Sequence, residues 1–254
     1  MSGEPAMTIT VPSHRAVLSA ALLLLAACAD NPGTKPPLHQ LSPTQQEDLG
    51  KNDIYDPFER VNRGVYNFNK VADDYVLLPA VRAYEFVVPV FVQDRVTSFF
   101  NNLLEIRNGI NGALQLRREP TGVAIGRLMI NSSLGVFGLF DVATPLGYPV
   151  HEEDFGQTLD WWGVGNGPYL VLPILGPSNL RDTTGLVADT LIQSSLPVVR
   201  TVNQEVFFDP AVYVLYAIDR RKIQPFRYWE SGTPFEYDLV RFLYTRKREL
   251  DIQR

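Results

Sequence analysis

Hydrophobic residues in the middle of this chain recur at the spacing of a helix rather than of a strand. Between residues 90 and 114 most apolar positions are three or four residues apart, and they are Val90, Val96, Phe99, Phe100, Leu103, Ile106, Ile110 and Leu114. Polar residues such as Gln93, Asn102 and Glu105 fall between them. This period gathers the apolar side chains on one side of a helix, so it predicts a long amphipathic helix or a pair of helices.

Two further amphipathic helices are predicted towards the C-terminus. One begins at Asp209-Pro210, because proline suits the first turn of a helix, and continues through Asp219. The other follows Thr233-Pro234 and ends in Arg246-Lys247-Arg248, where positive charge suits the negative end of the helix dipole. Strand-type alternation is weak throughout, so the pattern predicts an all-α domain.

Glycine and proline interrupt the helical pattern between about Gly147 and Pro177. Gly163, Gly165 and Gly167 lack the lysine and hydroxyl pair of a phosphate-binding loop, so they are interpreted as turn residues rather than a nucleotide site. The run that follows, residues 169–177, is short, apolar and broken by proline. It is either a buried core segment or a surface that dips into lipid.

A short apolar stretch, residues 18–27, precedes Cys28, the only cysteine of the chain. It is far below the roughly 20 residues that a helix needs to cross a bilayer, so it predicts a secretory leader. Leu25-Ala26-Ala27-Cys28 resembles the lipobox of bacterial lipoproteins, in which Cys28 would be diacylated and the leader cut before it. An ordinary signal peptide with an incidental cysteine is the alternative. With Ala29 after the cysteine, the resemblance to sorted lipoproteins implies export to the outer membrane.

These features divide the chain into three parts. Residues 1–27 are predicted to be a lipoprotein signal peptide whose true start is Met1 or Met7. Residues 28–52, rich in proline, glutamine and asparagine, are predicted to be the lipidated N-terminus and a flexible tether. Residues 53–254 have a length that fits one domain.

Charge and catalytic motifs exclude several classes of function. The formal net charge of −5 comes without the basic stripe that nucleic-acid binding requires. Three basic clusters are predicted to be solvated helix faces or helix ends rather than contacts with anionic headgroups: Arg117-Arg118, Arg220-Arg221-Lys222 and Arg246-Lys247-Arg248. Ser132, Ser133 and Ser178 lack the frame of a nucleophile elbow. His151 lies beside three acidic residues, but one imidazole is a weak metal site, and a polar loop is the preferred interpretation.

Several sequence blocks resemble, in order, those of the MlaA lipoprotein family, also called VacJ. They are Asp56-Pro57-Phe58-Glu59-Arg60-Val61-Asn62-Arg63, Tyr66-Asn67-Phe68-Asn69, Asn131-Ser132-Ser133-Leu134-Gly135, Gly138-Leu139-Phe140-Asp141-Val142-Ala143, Glu153-Asp154-Phe155-Gly156-Gln157-Thr158-Leu159, Trp162-Gly163-Val164-Gly165, Gly167-Pro168-Tyr169, Leu172-Pro173, Leu175-Gly176-Pro177 and Arg181-Asp182. The resemblance runs from about Asp56 to about Asp189. Val61 departs from the family pattern, as does Leu104-Glu105-Ile106.

The resemblance implies a single ring-like domain of amphipathic helices that lies in the periplasmic leaflet of the outer membrane. Members of the family remove phospholipid that has strayed into the outer leaflet and hand it to a soluble periplasmic carrier, MlaC, beside porin trimers. We therefore expect a passive conduit with lipid outside and a polar lumen inside, without enzymatic activity, cofactor or metal. A porin-associated structural lipoprotein without a lipid channel is the alternative.

Two sets of residues are the candidate sites. Asn67 and Asn69 are predicted to be polar groups on the lipid path, near one another, with Phe68 as a packing wedge turned away from them; a helix end held by asparagine side chains is the alternative. Aromatic rings with a polar edge collect at membrane interfaces, which suggests the second set, whose alternative is ordinary core burial. Its members are Trp161, Trp162, Tyr169, Leu170, Leu172, Ile174 and Leu175.

Overall fold

The computed structural model describes residues 54–195, 210–230 and 232–253. The predicted signal peptide, the lipidation site Cys28 and the tether lie outside these residues. All of the described residues belong to one compact unit.

Helices dominate the described residues, as the periodicity predicts. They are α1 Glu59–Ala72, α2 Leu78–Val87, α3 Val90–Leu114, α4 Arg118–Ser133, α5 Phe155–Trp161, α6 Leu180–Ser195, α7 Pro210–Ile223 and α8 Glu236–Gln253. A π-helical turn, Asp73–Leu77, joins α1 to α2. None of the helices in the described ranges is both long enough and apolar enough to cross a bilayer.

Each predicted helix is present, and one of them extends further than predicted. Residues 90–114 form the single helix α3, and α7 begins at Pro210. The last helix does not end at Arg246-Lys247-Arg248, because α8 continues to Gln253. The dipole argument for this cluster is therefore wrong.

The basic clusters are not simply solvated, since one arginine in each has a well-placed acidic partner. Arg117 contacts Glu153 at 2.8 Å, and Arg221 binds Asp73 through two bonds of 2.5 and 2.6 Å. Arg248 is bonded to both Asp154 and Asp182, which are 94 and 66 residues away in the sequence. Partners so distant leave no local pattern, which is why the solvated interpretation was wrong for these arginines.

A two-stranded antiparallel hairpin is the exception to the all-helical pattern. Strand β1 spans Tyr169–Leu172 and strand β2 spans Gly176–Asn179, with Tyr169 opposite Asn179 and Leu172 opposite Gly176. The hairpin begins in the short apolar run at residues 169–177. Its strands have four residues each, which are too few to show the alternation of apolar and polar residues that predicts a strand. Tyr169 and Val171 point into the described core, where they pack with Tyr66 and Tyr237.

The interior of the described chain is mainly polar, and much of its surface is apolar. Along α3 the buried residues are Gln93, Phe100, Asn102, Glu105, Asn108, Asn111 and Gly112. Val90 and Phe91, on the same helix, are 68 % and 64 % exposed. The helix is therefore amphipathic as predicted, but its polar side is the one that packs against the rest of the protein.

Candidate functional site

The outer edge of strand β1 is covered by an asparagine side chain of helix α1. Asn62 donates from Nδ2 to the carbonyl oxygen of Tyr169 at 3.0 Å, and its Oδ1 accepts the backbone N–H of Val171 at 2.9 Å. The N–H of Tyr169 donates to the carbonyl oxygen of Tyr55 at 2.9 Å. The Asn62 amide thus takes the place of a neighbouring strand, which satisfies backbone groups that an edge strand otherwise leaves open.

Asn69, two helical turns further along α1, does the same for the hairpin turn. Its Nδ2 donates to the carbonyl oxygen of Leu172 at 2.9 Å, and its Oδ1 accepts the N–H of Ile174 at 2.7 Å. Asn69 is 2 % exposed. Ile174 has a φ of +66°, a conformation that β-branched residues rarely adopt, so the amide of Asn69 stabilises a strained turn.

The structure separates the three residues predicted to lie on a lipid path. Asn69 is buried, whereas Asn67 and Phe68 are exposed on α1. Two residues apart on a helix, Asn67 and Asn69 do not share a face, so the predicted proximity of the two asparagines is wrong. The contacts of Asn69 match the alternative of a structural asparagine, although it holds a hairpin rather than a helix end. The role of the three residues in lipid movement stays a prediction.

The residues predicted to lie at the membrane interface fall into three groups. Tyr169 is 2 % exposed and packs within the core, so its assignment to the interface is corrected to core burial. Leu170 and Leu172 are half-buried. The exposed members are Trp161, Trp162, Ile174 and Leu175. These four remain candidates for contact with lipid.

The hairpin rests on a cluster of tyrosines whose hydroxyl groups are bonded to buried acids. Tyr66 donates to Glu236 at 2.7 Å, and Tyr237 donates to Asp56 at 2.5 Å. The rings of Tyr66 and Tyr237 meet edge to face with centroids 5.8 Å apart. Burial, together with the bond to an acid, raises the pKa of both tyrosines, so each hydroxyl keeps its proton and remains a donor.

Helix α8 is held to the segment before α1 and to helix α6 by two similar polar contacts. Tyr237 and Arg241 both bind Asp56, and seven residues later Tyr244 and Arg248 both bind Asp182. Arg248 also bonds to Asp154, the N-cap residue of α5.

These contacts determine the charge state of Asp154. Burial acts to raise its pKa, but the bonds and positive charge of Arg248 outweigh burial and lower the pKa to about 2. Asp154 is therefore ionised at neutral pH, and the contact between α5 and α8 is a charged one.

Helices α3 and α4 face each other across a buried charged network centred on Arg127. The guanidinium of Arg127 binds Glu105 of α3 at 2.5 Å and Asp141 at 3.2 Å, and it also donates to the backbone carbonyl of Tyr148. Arg127 and Glu105 are each 2 % exposed. Asn131 accepts the N–H groups of Val142 and Ala143, which fixes the loop after α4 against this network.

Sequence reasoning missed Asn62, Arg127 and the polar side of α3. The signal was present, because Glu105, Asn108, Asn111 and Gln115 recur every three or four residues and are all buried. A polar stripe at helical spacing is normally taken as the solvated side. In this protein that assignment is reversed for α3.

A cleft of about 330 Å³ lies between α8 and the hairpin. Its lining includes Tyr55, Tyr169, Asn179, Phe242 and Arg246. In the described ranges no group of histidine, cysteine or acidic side chains is arranged to hold a metal ion.

Comparison with known proteins gives a consistent family. The MlaA lipoprotein family matches residues 54–251. A protein of Rickettsia felis is 37 % identical over 203 residues, which cover 79 % of each chain. The intermembrane phospholipid transport system lipoprotein MlaA of Escherichia coli K12 is 38 % identical over 138 residues, 53 % of this chain and 55 % of that protein. The protein of the same name from Haemophilus influenzae is 33 % identical over 177 residues, 68 % and 64 % of the two chains.

A solved structure agrees with these relatives. It is described as the structural basis for maintenance of bacterial outer membrane lipid asymmetry, and it superimposes with a TM-score of 0.63 at 28 % identity. The match covers 78 % of this chain and 98 % of the other. A match that spans α1 to α8 and relatives above 30 % identity lead to one conclusion: the chain belongs to the MlaA lipoprotein family.

Proposed function

We propose that this protein is an outer-membrane lipoprotein that forms a passive conduit for phospholipid. It removes mislocalised phospholipid from the outer leaflet and hands it to a periplasmic carrier, which maintains the lipid asymmetry of the outer membrane. The observation that carries the proposal is the inverted polarity of helix α3, whose buried side is polar and whose exposed side is apolar.

That polarity suits a lipid conduit for a physical reason. Apolar side chains such as Phe91 and Met129, on α3 and α4, lose nothing when they face acyl chains, whereas in water they are an unfavourable surface. A phospholipid headgroup carries charge that hydrocarbon does not solvate, so its route needs polar walls. Helices with a polar side and an apolar side provide both surfaces at once.

The path that we propose passes α1 near the hairpin. Asn67 offers an exposed amide beside Phe68, and Asn69 lies behind them, bonded to the hairpin turn. Trp161 and Trp162 are exposed at the end of α5, where rings with one polar edge suit the headgroup region.

The anchor and the partners complete the proposal. Acyl chains on Cys28 would hold the protein in the periplasmic leaflet, because each buried methylene contributes roughly 0.8 kcal/mol and two or three chains bind almost permanently. The Escherichia coli and Haemophilus influenzae relatives named above are lipoproteins of an intermembrane phospholipid transport system. We propose a porin trimer and the soluble carrier MlaC as partners of this chain, and no catalytic step of its own.

Surface phospholipid in cells that lack this gene tests the role. We expect phospholipid to accumulate in the outer leaflet of these cells, and a wild-type copy to reverse the accumulation. A Cys28→Ala copy is expected to fail, because it removes the anchor. Normal surface phospholipid in the deletion strain, with the protein still cross-linked to porin, would replace the conduit by the structural alternative.

Single substitutions then separate the α1 residues. Asn67→Leu is expected to reduce phospholipid transfer without a change in thermal stability, because Asn67 is exposed. Asn69→Leu is expected to reduce both, because it breaks two bonds to the hairpin. Full transfer by Asn67→Leu would remove Asn67 from the path.

A further inference from the structure

The described chain contains five non-glycine residues with a left-handed backbone, and all five are apolar and exposed. They are Leu116, Val136, Phe137, Ile174 and Trp229. Glycine, asparagine and aspartate are the usual occupants of this conformation, because it strains larger side chains. An exposed apolar side chain gains little packing in return for that strain. Trp229 still packs edge to face on Tyr66, whereas the other four side chains are more than half exposed.

Among these positions, the hairpin turn is the one whose exposed apolar residues are also surrounded by uncharged sequence. Ile174 and Leu175 are 60 % and 67 % exposed at its end. The chain around them, residues 161–180, contains no Asp, Glu, Lys, Arg or His. Hydrocarbon tolerates charged side chains poorly, so a stretch of twenty uncharged residues with an exposed apolar turn suits a lipid environment.

The backbone at the outer edge of strand β1 and at the turn is also bonded in the way that a hydrocarbon environment requires. Water can bond to the open edge of a strand, but acyl chains cannot, so a strand that enters lipid must have its edge covered. Asn62 bonds to Tyr169 and Val171, and Asn69 bonds to Leu172 and Ile174. The side-chain amides of Asn62 and Asn69 thus make the hydrogen bonds to this backbone that water would make at a solvent-exposed strand edge.

We propose that the turn at Ile174 and Leu175 is a rigid tip that inserts among the acyl chains of phospholipid, and that Asn69 is the residue that positions it. This inference rests on the proposed function, since it requires the protein to be held at a membrane. Acyl chains fit the tip better than a strand from a partner protein does, because the amides of Asn62 and Asn69 already occupy the edge that such a strand would pair with.

Fluorescence quenching in vesicles tests the depth of the tip. The acylated full-length protein, carrying Leu175→Cys labelled with bimane, is reconstituted into phosphatidylethanolamine and phosphatidylglycerol that contain phosphatidylcholine spin-labelled on its acyl chain. Leu250→Cys is the matched control, because Leu250 is 60 % exposed but lies between Glu249 and Asp251. The parent chain without an added cysteine measures any labelling at Cys28.

We expect strong quenching at position 175 and only background quenching at position 250. Equal quenching at the two positions would overturn the proposal. Adding Asn69→Ala to the labelled Leu175→Cys protein is expected to reduce the quenching, because the turn loses two bonds. If that double variant does not fold, the comparison of positions 175 and 250 alone still decides whether the tip enters lipid.

Ile174→Gly separates a lipid-contacting role from a structural one. Glycine relieves the left-handed strain, so the thermal midpoint in detergent is expected to stay the same or to rise by about 2 to 4 °C. Phospholipid transfer is nevertheless expected to fall. A lowered midpoint with unchanged transfer would show that Ile174 serves the fold alone and would contradict the proposal.

The outcomes also separate this inference from the proposed function. Strong quenching at position 175 in a protein whose deletion leaves surface phospholipid normal would keep the tip and reject the conduit. Normal phospholipid transfer with no quenching at position 175 would keep the conduit and reject the tip.

Discussion

Two regions of this protein differ in what fills their interior. Around the hairpin, the rings of Tyr66, Tyr169 and Tyr237 form an aromatic core of the kind found in water-soluble domains. Between α3 and α4 the centre is instead a buried charge network around Arg127, while apolar side chains such as Met129, 67 % exposed, cover the outside. The first region gains stability by removing apolar surface from water, and the second needs an apolar surface around it to be favourable.

The difference shows which contacts each region depends on. Removing one charge from a buried network leaves its partner uncompensated, which costs more than the pair contributes. Removing one hydroxyl from an aromatic core leaves the rings packed and costs only a hydrogen bond. Substitutions in the charged network should therefore lower stability more than substitutions in the aromatic core.

Arg127→Ala is expected to lower the free energy of unfolding by about 3 to 5 kcal/mol, because Glu105 is left as an unpaired buried carboxylate. Chemical denaturation in detergent measures the loss. Arg118→Ala, an exposed arginine on the same helix, is the control and should change stability by less than about 0.5 kcal/mol. Equal effects of the two substitutions would mean that the charged network contributes nothing special.

Acid is expected to weaken the contact between α8 and α5. The pKa of Asp154 is lowered from its ordinary value of 3.8 to about 2, so ionised Asp154 stabilises the fold at neutral pH by about 2 kcal/mol. This stabilisation is fully present above about pH 5 and is lost as the pH falls through 4 towards 2. Stability measured against pH, for the parent and for Asp154→Asn, gives the difference directly.

The variant serves as the control for neighbouring acids. Burial raises the pKa of Glu153 and Asp189, so protonation of these two groups favours the fold as the pH falls, opposite to Asp154. Both proteins contain these groups, and asparagine remains a good N-cap for α5. Parallel curves for the two proteins between pH 5 and pH 2 would contradict the assignment of Asp154.

Tyr66→Phe is expected to lower the free energy of unfolding by about 1 to 2 kcal/mol, because it removes the hydroxyl that donates to Glu236 but leaves the ring in place. Tyr75→Phe, at an exposed position of the adjoining π-helical turn, should leave stability unchanged. The same denaturation experiment compares them. A loss at Tyr66 as large as that of Arg127→Ala would erase the distinction between the two regions.

Three of the eight described helices, α3, α7 and α8, could be predicted from the sequence, because helical periodicity is a local property. The apolar spacing in residues 90–114 predicted one long helix or a pair, and the structure has the single helix α3, while proline marked the start of α7. The hairpin could not be predicted in the same way, because four-residue strands are too short to show alternation. Its stability comes from Asn62, whose bond to Tyr169 spans 107 positions of the sequence.

The sequence predicted several residues of the candidate site but did not predict how they contact one another. The sequence singled out Asn69 and Ile174 separately, and the structure joins them through one hydrogen bond of 2.7 Å. It also divided the candidates, since Tyr169 is buried and Trp161 is exposed. Burial depends on which helices and strands pack over a residue, and the adjacent residues in the sequence do not determine that packing.

The sequence by itself determined where α3, α7 and α8 form, where glycine and proline interrupt the helices, and which family the blocks of residues resemble, because each of these depends on neighbours within a few positions. Only the tertiary structure decided that the polar side of α3 faces inward and that Arg248 pairs with Asp154 and Asp182. The physical reason is that amphipathic periodicity defines a polar and an apolar side of a helix but does not determine which side faces the protein interior and which faces the surroundings. That choice is made by distant residues such as Arg127, whose charge stabilises a polar interior only when the fold brings Glu105 and Asp141 to it.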